Sequence, residues 1–114
     1  MEKSPQIFVV HILDEIAYLQ KIPRRRTLPE FLADDDLTRS AAYSMQIISE
    51  AARRLPPEWL ESRPEVSWHH VKAIGNRTRH EYADLRMPTL WNIMLHELDD
   101  LKRAMEAFRQ PEQN

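Results

Sequence analysis

Apolar side chains recur along this chain at helical intervals, and almost nowhere do they alternate as a half-buried strand requires. Phe8, Val9, Ile12, Leu13, Ile16 and Leu19 form one stripe, on a helix opening at Pro5, where a missing N–H goes unnoticed. The helix is expected to stop near Ile22-Pro23, because proline disfavours helix for the residue before it. Phe31 and Leu32 are placed to tie the following connection to the core. Asp34, Asp35 and Asp36 then supply N-cap candidates and an acidic first turn. Leu37, Ala41, Met45, Ile48, Ala52 and Leu55 advance by three or four residues at a time until Pro56-Pro57. Arg53 and Arg54 fall in the expected last turn of this second helix, where cations suit the carbonyl end. Trp59 and Leu60 fit a short helical turn. Ser67 is the N-cap candidate of a third helix lined by Trp68, Val71, Gly75, Thr78, Tyr82 and Leu85. Pro88 begins a last one, with Leu90, Met94, Leu98, Leu101, Met105 and Phe108 as its stripe. The pattern predicts an all-α bundle of four main helices plus short helical turns. A single domain over residues 1–110 is expected, with 111–114 as a frayed tail.

Composition sharpens this picture by exclusion. The chain of 114 residues contains one glycine, Gly75, so the glycine-rich loops that cradle nucleotide phosphates are absent. It contains no cysteine, which removes disulfides, thiolate zinc sites and cysteine nucleophiles together. Sixteen basic residues stand against eighteen acidic ones, a net charge of −2 that gives no global attraction to nucleic acid. Any such role rests on local patches. Lys21 with Arg24, Arg25 and Arg26 is one, open to reading as a solvated loop or as a contact to an RNA backbone. The apolar stretch from Ile7 is interrupted by His11 and Asp14, too soon for a signal peptide or a membrane span. A cytoplasmic protein without membrane attachment is expected.

The densest chemistry lies in residues 68–86, which hold three of the five histidines. His69 and His80 share an azimuth on one helix but stand about 16 Å apart along it, beyond the span of a single metal ion. No metal and no cofactor is expected. There remains His80 among Asn76, Arg77 and Arg79. Histidine exchanges a proton near neutral pH, and arginine grips phosphate oxygens in a bidentate fork. Together they suit metal-free RNA cleavage, in which a 2′-hydroxyl attacks the neighbouring phosphate. A polar helix end that merely satisfies acids and carbonyls is the other reading of the same residues.

The run Trp68, Ile74-Gly75-Asn76, Arg79-His80-Glu81-Tyr82, then Leu90-Trp91 and Glu97-Leu98, resembles the HepT-like members of the HEPN superfamily. Ile47-Ile48-Ser49-Glu50-Ala51-Ala52-Arg53-Arg54-Leu55-Pro56 is similar to the same family's second-helix pattern. The likeness spans essentially the whole chain. It implies a HEPN-type helical bundle forming a homodimer, with two copies of the active segment facing across a cleft. It further implies a metal-independent ribonuclease toxin acting on RNA, paired with a nucleotidyltransferase antitoxin. By this resemblance His80 is the catalytic histidine, and Tyr82 is the candidate site of adenylylation by the antitoxin.

One position departs from the family. Its arginine stands four to six residues before the histidine, commonly followed by asparagine; here Asn76 is kept, but the arginine position is Gly75. Ile74 and Ala73, the other permitted places, are not arginine either. On a straight helix Arg77 lies about 60° around from His80 and Arg79 about 100°, which makes Arg77 the better substitute. The departure leaves an alternative: a catalytically degenerate dimer that binds a nucleotidyltransferase or RNA. Tyr82 likewise keeps two readings, core packing and modification, because two residues turn a helix by about 200° and set it nearly opposite His80.

Overall fold

Ser4 opens the first helix, its hydroxyl accepting the Gln6 N–H at 3.3 Å, with Pro5 in the first turn. The computed structural model describes residues 4–80 and 87–110, without the side chains of residues 75–80. Among them the chain forms seven helices and no strand. These are α1 (Pro5–Arg25), α2 (Leu28–Ala33), α3 (Asp35–Ala52), α4 (Pro57–Glu61), α5 (Trp68–His80), α6 (Met87–His96) and α7 (Leu98–Phe108).

The expected stripes are the core. Val9, Ile12, Ile16 and Leu19 of α1, Ala41, Met45 and Ile48 of α3, and Leu98, Leu101 and Met105 of α7 are all buried. Three boundaries differ from expectation. Pro23 lies inside α1, near its end: burial of Ile22 outweighs the local preference, and the Arg26 N–H still reaches the Ile22 carbonyl at 2.9 Å. The connection after it is itself a helix. α2 opens with a capping box, in which Glu30 N–H donates to the Thr27 hydroxyl at 3.3 Å and Thr27 N–H to the Glu30 carboxylate at 2.8 Å. Phe31 is fully buried against Trp91, ring centres 5.5 Å apart, whereas Leu32 faces out instead of anchoring the connection. Finally, the last predicted helix divides at Glu97, whose φ of −110° and ψ of −14° depart from helical values. The Glu97 N–H keeps its bond to the Ile93 carbonyl at 3.0 Å.

Helix α3 lies between α1 and α5, its two most extensive partners. Small side chains at Ala41, Ala42, Ser44, Ser49, Ala51 and Ala52 let both neighbours approach closely. Ser44 donates to the Glu15 carboxylate at 2.7 Å, and Tyr18 shares a 2.6 Å hydrogen bond with Ser40. Rising numbers on α1 thus meet falling numbers on α3, and the pair is antiparallel.

At one end, aromatic rings seal the bundle. Trp59 lies 5.2 Å from Phe108 and Trp68 stacks on it at 6.4 Å. The Trp68 indole N–H is shared between the Leu60 carbonyl at 2.9 Å and the Arg63 carbonyl at 3.1 Å, which fixes where α5 begins. Gln6 ties the first helix to the last: its amide donates to the Phe108 carbonyl at 2.8 Å and accepts the Gln110 N–H at 3.0 Å.

Candidate functional site

The backbone of α5 is helical from Trp68 through His80, so the sequence spacings hold along its whole described length. Ser67 stands directly before it, with its carbonyl accepting the Val71 N–H at 3.0 Å. Asn76, Arg77, Arg79 and His80 occupy the last turn and a half, with backbone positions of Arg77 and His80 about 60° apart. Their side chains lie outside the described residues, as does Tyr82 with the expected continuation of this helix to Leu85.

What positions this segment is described. The fully buried Ser49 hydroxyl donates to the Lys72 carbonyl at 2.8 Å, and the Arg53 guanidinium donates to the same oxygen at 3.0 Å. The last turns of α3 therefore meet the second turn of α5. Since the two helices pack extensively, α5 must run back along α3, antiparallel to it. Eight residues from Lys72 to His80 advance about 12 Å, and eight back from Ser49 reach Ala41. The His80 turn thus travels beside the first half of α3. On the other flank of α5, His70 Nε2 stands 3.5 Å from a Glu97 carboxylate oxygen, linking this helix to the α6–α7 junction.

Arg53 and Arg54 lie just past the end of α3 rather than in its last turn, and each has a specific contact. Arg54 places its guanidinium carbon 5.8 Å from the centre of the Phe8 ring. Phe8 meets His11 edge to face at 6.2 Å. These residues border an open cleft of about 940 Å³ between α1 and α3, which Tyr43, Gln46 and Glu50 also line. Tyr43 is 65% exposed. This cleft was not evident in the sequence, because its two walls are about 40 residues apart in the chain and neither has a motif of its own.

The other basic group takes a different form. Arg24 and Arg25 belong to the last turn of α1, where cations complement the exposed carbonyls, and Arg26 pairs with Asp34 at 3.3 Å. It is a helix end, not a loop. Among the described residues, no three histidine, aspartate or glutamate side chains converge as they would around a metal ion. Among them, too, no helix is long and apolar enough to cross a membrane.

Comparison with known proteins places these features in a lineage. The family described as "Ribonuclease HepT-like" matches residues 12–108. A protein of Caldanaerobacter subterraneus subsp. tengcongensis, provisionally named an RNase, is 29% identical over 96% of this chain and 98% of its own length. The "Probable ribonuclease HepT" of Thermococcus cleftensis is 22% identical over 96% of this chain and 99% of its own. A provisionally named RNase of Methanocaldococcus jannaschii is 23% identical over 95% and 90% of the two chains. No solved structure matches the chain significantly.

Proposed function

The chain belongs to the HepT-like ribonuclease family, and we propose that it is a metal-independent endoribonuclease, the toxin of a toxin–antitoxin pair. The observation that carries this reading is a family match over residues 12–108, which takes in the whole helix bearing His80. In this reading His80 moves the proton between the 2′-hydroxyl, the phosphate and the leaving oxygen. Arg77, about 60° away around α5, holds the phosphate oxygens as charge builds on them; Asn76 and Arg79 flank the same turn. His69 and His80 stand about 16 Å apart on a helix that is continuous between them, which supports chemistry without a metal bridge. The active unit is a homodimer with its two α5 segments facing one another. Its antitoxin is a nucleotidyltransferase that adenylylates Tyr82.

Gly75 at the family's arginine position favours a second reading, a dimer that has lost cleavage and binds RNA or a nucleotidyltransferase. One assay separates them. Purified protein incubated with RNA and chelator should release fragments ending in 2′,3′-cyclic phosphate. His80→Ala should slow that release by about 10²–10⁴-fold, the usual worth of general acid–base catalysis. The absence of any chelator-resistant cleavage sensitive to His80→Ala would overturn the enzyme and leave the binding role.

A further inference from the structure

Beyond the α5 turn, the α1–α3 cleft has the makings of a second element of the site. It presents an exposed tyrosine, a half-buried phenylalanine with a guanidinium over its face, and an exposed histidine at that ring's edge. Flat aromatic and guanidinium surfaces are what unstacked nucleobases lie against, and single-stranded RNA is recognised largely through such contacts. The charges argue for a base rather than a phosphate. Arg54 shares the cleft with the Glu50 carboxylate, which would repel an anion, while Gln46 offers polar atoms suited to a base edge. The volume, about 940 Å³, admits a nucleoside.

The cleft also lies beside the catalytic segment. Ser49 and Arg53 meet α5, whereas Glu50, one residue on from Ser49 in the helix, turns about 100° away into the cleft, which Arg54 also lines. The two sites therefore occupy adjoining sides of α3. Tyr43 is six residues back from Ser49, about 9 Å along the axis, towards the level of the His80 turn.

We propose that this cleft is a base-binding subsite: it takes one unstacked nucleobase of single-stranded RNA near the scissile phosphate, between Tyr43 and the Arg54–Phe8 pair. The proposal rests on the ribonuclease reading for its ligand, and its test is independent of cleavage. A short fluorescent oligonucleotide, 2′-O-methylated throughout, lacks the nucleophile and reports binding alone by anisotropy. Tyr43→Ala should weaken binding roughly 5- to 150-fold, the range for one base on one aromatic ring, and Tyr43→Phe should restore it. Arg54→Ala should weaken it as well. An oligonucleotide with abasic positions should bind the native protein less tightly and be insensitive to Tyr43→Ala.

Native protein that does not bind the oligonucleotide, or Tyr43→Ala and Arg54→Ala variants that bind as tightly as native, would overturn the subsite. So would sedimentation showing that Tyr43→Ala changes the oligomeric state, since the cleft would then be an interface between copies. A thermal melt confirms that the variant at this exposed position is folded. Cleavage by His80 with no effect of Tyr43 on binding removes the subsite and leaves the enzyme. Tyr43-dependent binding without cleavage removes the enzyme and leaves the subsite.

Discussion

The Ser49 hydroxyl donates to the main-chain carbonyl of Lys72 at 2.8 Å, from a side chain with no exposed surface. The contact sets the register of α5 against α3, two helical turns before His80. Replacing Ser49 with alanine removes this donor while leaving a volume that the close packing accepts. The expected loss is about 0.5–1.5 kcal/mol of stability, the usual net worth of one hydrogen bond. Ser49→Leu would overpack the α3–α5 contact and should cost about 1–3 kcal/mol. Urea titration of the two variants checks both magnitudes and their order.

Phe31 is a second test of the packing. It is wholly buried and its ring lies tilted against Trp91, although it belongs to a helix of only six residues. Phe31→Ala should destabilise by about 3–5 kcal/mol, because a large cavity opens between α2, α3 and α6. Leu32→Ala, at the exposed neighbouring position, should leave stability within about 0.5 kcal/mol. Equal effects of the two would mean that α2 does not dock through Phe31.

The capping box of α2 carries a pH dependence. The Thr27 main-chain N–H, then the Thr27 hydroxyl contact and the charge of Arg26, hold the Glu30 carboxyl below its usual range. A depressed carboxylate contributes stability in full above its unfolded pKa, about 4.3, and loses it as pH falls from there through the lower native value. Amide exchange at the start of α2 should therefore quicken relative to the rest of the bundle below about pH 4.3. Glu30→Gln should remove that pH dependence while leaving a side chain able to accept from Thr27. An exchange rate with the same acid response in both proteins would assign the effect to another group.

Much of this architecture was legible in the apolar spacing. The stripes of α1 and α3, and the one from Leu90 to Phe108, are buried or packed against the core as the intervals predict, because burial enforces period rather than boundary. For the same reason the division at Glu97 left no trace: Leu90, Met94, Leu98, Leu101 and Met105 stay in phase across it. Thr27-x-x-Glu30 is a capping signal, set in a connection where Pro23 and Pro29 speak more loudly for a break. Ile74, buried though absent from the expected α5 stripe, belongs to a helix whose polar residues blur its period. The His80 segment announced itself through adjacent residues. The Tyr43–Arg54–Phe8 cleft could not, since it exists only once α1 and α3 are antiparallel.

Gly75 supports the most direct test of the chemistry. It occupies the family's arginine position, and among the described residues no glycine has a positive φ, so nothing in the α5 backbone demands a residue without a side chain there. Glycine inside a helix costs about 1 kcal/mol relative to alanine, so most replacements should strengthen the helix locally. If Arg77 now holds the phosphate, Arg77→Ala should slow chelator-resistant RNA cleavage, and Gly75→Arg placed on that variant should recover part of the rate. Arg79→Ala, about 100° from His80 rather than 60°, should have the smaller effect. Removal of a fixed charge-stabilising donor typically costs about 10²–10³ in rate, well above assay error. Single-turnover cleavage of one RNA by the four proteins decides the matter. Equal rates for Arg77→Ala and the native protein would show that arginine was not relocated to position 77.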